Sequence, residues 1–274
     1  SAGSNFSRRA WKAVKADRPR KKPVQAMTCA AAGNLPKPRR FSQGFGGPVA
    51  QSRGRTMTAA TLTISSRNYS SWSLRGWLIC RMAGLDFETE VLSGADATTR
   101  AELLHLSPSF LVPRLRHGDV VVWDTLAIAE YLNEAFPDAH LLPSDPKARA
   151  HCRAISGEMH SGFAALRSSL PMNLRAHFPK FKVWSRAQAD IDRICAIWRE
   201  CLDAYGGPFL FGSQRTIADA MYAPVCTRFA TYDVKLDAVC QAYRDTMLAQ
   251  PEMKEWMAAA QREPIDIDEL DVEF

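Results

Sequence analysis

Residues 65 to 75 read Ser65-Ser66-Arg67-Asn68-Tyr69-Ser70-Ser71-Trp72-Ser73-Leu74-Arg75, a run crowded with hydroxyls and one side-chain amide. Such groups donate hydrogen bonds to an anion, and a hydroxyl in the first turn of a helix does so where the helix dipole adds its positive end. Ser70 is placed for that use, with Asn68, Ser71 and Tyr69 as neighbours able to share it. The competing use of Ser70 and Ser71 is plain N-capping, which still leaves a hydroxyl proton to give. Further along, Asp124-Thr125 opens a second helical pattern. By local sequence alone Asp124 or Thr125 reads as the cap of that helix, although the Thr125 hydroxyl and backbone N–H can also meet a carboxylate and Asp124 an ammonium. Seven cysteines form no CxxC pair and no metal-ligand spacing. They read as small buried thiols in a reducing compartment, and no metal is expected.

The elements that carry these residues follow from periodicity. Thr61–Ser65 alternates as a strand, with Leu62 and Ile64 on one face. Trp72, Gly76, Ile79, Cys80 and Ala83 trace a buried helical stripe that stops at Gly84. Phe87–Leu92 reads as a second strand, Ala101–Leu106 as a short helix, and Leu111–Leu115 as a third strand containing Pro113. His117-Gly118-Asp119 turns into a fourth strand, Val120–Trp123, and Thr125 opens a helix with Ala127, Ile128, Tyr131, Leu132 and Ala135 inward. The order is βαβαββα. A nucleotide-binding sheet is disfavoured because no Gly-rich loop follows the first strand. From Asp145 the pattern is helical throughout: Ile191, Ile194, Cys195, Trp198, Leu202 and Tyr205 share one face, and Thr216 with Asp219 forms a capping-box pair.

Composition bounds the rest. The 274 residues are 46% apolar and 23% charged, a globular mixture sufficient for about two domains. No run of roughly 18 apolar residues occurs, so no membrane-spanning helix is expected. Residues 1–56 carry 13 Lys and Arg against Asp17 alone, leaving 22 bases and 28 acids; the segment is +12 and the remainder −6. A mildly acidic folded part repels phosphate backbones, which argues against nucleic acid as a partner. The basic segment, 1–57, lacks the apolar periodicity of a core and reads as disordered. Three origins fit it: an extension upstream of the functional protein, since Met57 stands just before the first strand; a transit peptide, with Phe6, Ala10, Trp11 and Val14 on one face; or a basic interaction arm. Residues 263–274 form an acidic tail.

Several short motifs, in order, resemble the cytosolic-type glutathione transferases. Val112-Pro113 looks like the family's Val-Pro at the start of the third strand, and Trp123-Asp-Thr-Leu-Ala-Ile128 resembles its (Glu/Gln)-Ser-x-Ala-Ile. Phe136-Pro137 and Leu141-Leu-Pro143 resemble the exit from its first domain, and Phe211–Pro224 its Gly-x-x-x-Thr-Ile-Ala-Asp segment. The resemblance covers residues 58–262. It implies an α+β fold: a thioredoxin-like βαβαββα domain at 58–139 followed by an all-α bundle at 145–262.

The same resemblance implies glutathione as co-substrate, a small hydrophobic electrophile, a homodimer and a cytoplasmic location, with organellar import through the basic segment left open. It implies a cis Val112-Pro113 bond, so that the Val112 backbone turns outward to pair antiparallel with an extended peptide. Asp124, shorter than the family's Glu or Gln, and Thr125 would then take the γ-glutamyl end. Setting Leu74-Arg75 on the Val-Arg of zeta-type members puts Asn68 at their activating Ser and Ser70 at their Cys; beta-type members place Cys-Ser on Ser70 and Ser71. Ser70 is the first candidate to activate the thiol, then Asn68 and Ser71. The electrophile would lie along Glu158–Pro179, where Met159, Phe163, Arg167 and Asn173 are the candidate contacts and Pro171 breaks a helix. Two other functions stay open: isomerisation of an unsaturated diacid, and a non-catalytic binding module of the same fold.

Overall fold

The computed structural model describes residues 60–92 and 111–263. The helix expected at 101–106, the extension 1–57 and the tail beyond Glu263 lie outside the described residues.

Strand β1, Ala60–Ile64, buries Ala60, Leu62 and Ile64 on the face its alternation marks. Helix α1, Ser71–Met82, starts on Ser70 as N-cap and stops where Gly84 takes φ +69°. Strand β2, Glu88–Val91, runs parallel to β1. Strand β3, Arg114–His117, is antiparallel to β1, and β4, Val120–Trp123, is antiparallel to β3. The sheet order β2-β1-β3-β4 leaves β4 on an edge, with Val120, Val121 and Trp123 exposed. The β3–β4 turn is Gly118-Asp119, and Gly118 at φ +59° supplies the positive φ that a two-residue hairpin needs.

The third strand starts later than its apolar run suggested, at Arg114 in place of Leu111. Pro113 has no N–H for the ladder, so pairing begins one residue beyond it. The Val112-Pro113 bond is cis. Pro113 is buried against α1 at Gly76, where an added Cβ would stand 2.5 Å from Pro113 Cγ. Glycine is therefore the residue that lets the Val112-Pro113 segment approach this helix.

Helix α2, Thr125–Ala135, buries Thr125, Ile128, Ala129 and Leu132, spaced i, i+3, i+4, i+7. Ala127 and Ala135, expected inward, are exposed, because the buried face is centred a third of a turn away on Ile128 and Ala129. The helical half comprises α3, Pro146–Ser161; α4, Ala164–Ser169; α5, Ser185–Tyr205; α6, Ile217–Thr231; α7, Ala238–Leu248; and α8, Pro251–Gln261. Helix α6 is buried on nearly every side and packs against α1, α3 and α7. This explains why α1 is buried well beyond its expected stripe, with Arg75 itself at 0% exposure. The capping box forms as expected: the Asp219 carboxylate accepts from the Thr216 N–H (2.7 Å) and hydroxyl (3.0 Å), and also from Leu210 N and the Tyr243 hydroxyl. Burial pushes this carboxyl upward in pKa against the pull of those donors. Helix α4 ends at Ser169, ahead of Pro171, and buried Arg228 closes it by donating to the Leu170 carbonyl. Among the described residues no helix is long and apolar enough to cross a membrane. The six described cysteines are buried and unbridged, and burial pushes the Cys152 thiol up to about 11 and Cys201 up to about 12.

Candidate active site

The segment between β1 and α1 is fastened from several directions. Glu263, just beyond α8, accepts from the Ser66 hydroxyl (2.7 Å), the Arg67 N–H (2.8 Å) and the Asn68 N–H (3.1 Å). Trp256 Nε1 donates to the Arg67 carbonyl at 2.9 Å. Asn68, 1% exposed, uses its side-chain oxygen to accept from the N–H groups of Leu174 (2.8 Å) and Arg175 (3.0 Å), and its amide donates to Asn173 Oδ1 (3.2 Å). Asn173 Oδ1 also takes the N–H groups of Arg175 and Ala176. Asn68 and Asn173 thus meet each other and tie the segment to the break after α4.

Ser70 lies at the end of this fastened stretch. Its Oγ accepts from Ser73 N at 3.3 Å, which caps α1 and leaves the hydroxyl proton to give. Ser71 is fully buried and accepts from Arg75 Nη1 at 3.0 Å. Arg75 is held by the Met221 carbonyl, and its guanidinium lies 4.5 Å from the Trp72 ring centroid.

The second group of candidates gathers at the start of α2. Asp124 is the N-cap: Oδ1 accepts from Leu126 N (2.8 Å) and Ala127 N (3.2 Å), leaving the Thr125 N–H outside the cap. Its backbone has φ +74° and ψ +134°, a conformation that costs a non-glycine residue about 1–3 kcal/mol and recurs at ligand sites. Thr125 is 1% exposed. Both residues meet His160, in the last turn of α3: Nε2 lies 3.1 Å from Asp124 Oδ2 and Nδ1 lies 3.4 Å from Thr125 Oγ1. The His160 ring also meets the Trp72 ring edge-on, centroids 5.0 Å apart. Trp72 and His160 therefore connect the start of α1, two residues beyond Ser70, with the Asp124-Thr125 corner.

Trp72, read from its spacing as core, is only partly buried and lies between the guanidinium groups of Arg75 and Arg167, the latter 5.5 Å from its ring. Val112 is half-buried just ahead of the β3 ladder. Met159 is fully buried and Phe163, at φ +59°, is 8% exposed. A cavity of about 400 Å³ adjoins the β1–α1 segment, lined by Arg67, Val91, Ala259, Arg262 and Glu263. His160 and Glu263 did not emerge from the sequence as site residues. His160 carries no motif, although it falls within 158–179, and Glu263 reads there as the first residue of an acidic tail.

Comparison with known proteins places this geometry. Residues 69–135 match the model of the glutathione S-transferase N-terminal domain and residues 181–259 that of its C-terminal domain. The chain is similar to glutathione S-transferase 1 of Dianthus caryophyllus, 30% identical over 167 residues that span 60% of this chain and 75% of that protein. It is similar to a probable maleylacetoacetate isomerase of Caenorhabditis elegans, 29% identical over 160 residues, 58% of this chain and 73% of that one. Among solved structures it resembles a glutathione transferase homolog from Burkholderia, strain BGR1, with bound glutathione. The TM-score is 0.56 at 22% identity, covering 75% of this chain and 99% of that one.

Proposed function

The chain belongs to the glutathione transferase family, and we propose that it activates the glutathione thiol through Ser70 for attack on a small hydrophobic electrophile. The observation that carries this reading is Ser70 at the N-terminus of α1, capping with its oxygen while its proton remains available. A thiolate there gains a hydroxyl donor and the positive end of a helix, both of which lower a thiol's pKa. Asn68 has its oxygen and one amide hydrogen engaged by Leu174, Arg175 and Asn173, and Ser71 is buried against Arg75, which favours Ser70 among the three. Asp124 and Thr125 take the γ-glutamyl end, and the Val112 backbone, set by Pro113 against Gly76, pairs with the cysteinyl residue. Of the candidate electrophile contacts, Arg167 lies over the Trp72 ring and Asn173 bonds to Asn68, whereas Met159 and Phe163 are buried. Glutathione is the co-substrate, no metal takes part, and the exposed edge strand β4 supports a homodimer, in a cytoplasmic setting.

A second reading has its own support. Several similar proteins are named as maleylacetoacetate isomerases, and the cavity beside the β1–α1 segment holds Arg67 and Arg262, which would meet an electrophile's carboxylates, alongside the Glu263 carboxylate already engaged by the segment. Calorimetry with glutathione, followed by turnover assays on an aromatic halide and on a cis-unsaturated diacid, separates the possibilities. Conjugation of the halide supports transfer, isomerisation of the diacid supports the second reading, and binding without turnover of either leaves a binding module. Absence of glutathione binding would overturn the assignment of the site.

A further inference from the structure

We infer that His160, contributed by the helical half, is a recognition residue for the α-carboxylate of the ligand's γ-glutamyl end. The inference rests on the glutathione reading above and adds a third residue to Asp124 and Thr125.

Asp124 divides its carboxylate between two tasks. Oδ1 is spent on the helix cap, accepting from Leu126 N and Ala127 N, whereas Oδ2 faces His160 Nε2 at 3.1 Å. The side chains of this pair are 30% and 40% exposed, so the pair adds little to the stability of the fold and is open to an incoming molecule. Its other neighbour is Thr125 Oγ1, 3.4 Å from Nδ1, on the residue whose N–H lies outside the cap. A carboxylate acceptor, a hydroxyl, a backbone N–H and an imidazole N–H thus converge on one corner, which is open at Asp124 and His160 while Thr125 itself is buried. An α-amino acid zwitterion offers the complementary set. Its ammonium takes Asp124 Oδ2, and its carboxylate takes the Thr125 N–H and hydroxyl together with the His160 N–H that the free protein gives to Asp124.

Two features fit this exchange better than a purely structural pair. Asp124 keeps a strained positive φ that a capping role alone does not require, since asparagine, serine or glycine would cap from ordinary backbone. His160 also touches Trp72, two residues past Ser70, so a ligand held by His160 is located relative to the reacting end. Of the other charged groups on α3, Arg153 and Glu158 pair with Glu130 and Arg193, Arg149 donates to the Pro143 and Ser144 carbonyls, and Lys147 stands in the first turn, at the opposite end of the helix from His160. The guanidinium groups of Arg75 and Arg167 sit on the Trp72 ring.

The test is a cycle between residue and ligand group in the full chain. Wild type, His160→Ala and His160→Gln are titrated with glutathione and with its analogue amidated at the γ-glutamyl α-carboxylate, and each variant's melting temperature is recorded. The expected result is that His160→Ala weakens glutathione about tenfold and the amidated analogue less than about twofold. His160→Gln, which retains an N–H donor, recovers part of the loss. Equal weakening of both ligands by His160→Ala would reduce His160 to a prop for Asp124 and overturn the inference, as would a kcat loss with unchanged affinity. Wild type binding glutathione normally in those outcomes leaves the glutathione reading standing; wild type binding neither ligand removes both.

Discussion

The two ends of the candidate site are built in opposite ways. The β1–α1 segment is gripped by Glu263, Trp256 and the backbone around Leu174, with Ser66 and Asn68 each at 1% exposure. The Asp124-Thr125 corner, in contrast, meets the helical half through His160 among the described residues, and the Asp124–His160 contact stays open to solvent. The difference matches the work assigned to each end. A donor that stabilises a thiolate is effective when it is fixed before the reaction, because no reorganisation is then needed as charge develops. A corner that recognises a zwitterion needs charged groups that remain hydrated, satisfying one another, until the ligand replaces their partners.

The largest effect is expected at the fixed end. Ser70→Ala removes the donor without disturbing Glu263 or Asn68, and turnover should fall by about 10²–10³, the usual loss for one preorganised donor. The midpoint of the pH–rate profile should move upward, because the thiol of bound glutathione loses stabilisation of its ionised form. Loss of the cap should cost about 1 kcal/mol of stability, measured separately by denaturant unfolding. An unmoved profile in Ser70→Ala, together with an impaired Asn68→Ala, would transfer the role to Asn68.

Glu263→Ala attacks the same end from the far side. It leaves the Ser66 hydroxyl and the N–H groups of Arg67 and Asn68 without their shared acceptor. A charge-assisted network of this kind is expected to be worth about 3 kcal/mol in urea unfolding. Turnover should fall less than in Ser70→Ala, since Ser70 remains, and glutathione affinity should hardly change. A Glu263→Ala enzyme of normal stability would show that the segment is fixed by Asn68 and Trp256 alone.

What the sequence reveals divides along the same line. The elements set by local pattern are legible: β4 and α2 begin at Val120 and Thr125 as their residues indicate, and Thr216 with Asp219 caps α6. The start of β3 is not, because its apolar run extends through Pro113 while pairing begins only at Arg114. The hydroxyl-rich segment also announces itself, since helix starts select the same residues that donate to anions. Its restraints do not. Glu263 lies 195 residues from Asn68 and belongs by composition to a tail, and only tertiary packing brings its carboxylate to three donors. Trp72 misleads for a related reason: its spacing fits the buried face of α1, but it stands at the margin of the core, where Arg75, Arg167 and His160 surround it.

The smallest loss of stability, and the sharpest test of the contrast, belongs to Asp124→Gly. Glycine adopts φ +74° without a Cβ penalty, so the strain of about 1–3 kcal/mol is relieved. Against that gain stand the entropy of an added glycine, about 0.5–1 kcal/mol, and a cap loss of a few tenths. The exposed pair with His160 contributes little. The net change in unfolding free energy should therefore run from about zero to a gain of about 2 kcal/mol, whereas the KM for glutathione should rise by about tenfold or more as the acceptor for its ammonium disappears. Asp124→Asn retains the cap, the strain and an oxygen acceptor but loses the charge, so its KM should rise less than that of Asp124→Gly and its stability should not exceed wild type. If Asp124→Gly instead destabilised the protein as much as Glu263→Ala, the corner would be a second structural clamp, and the division between a fixed reacting end and an exchangeable recognising end would fail.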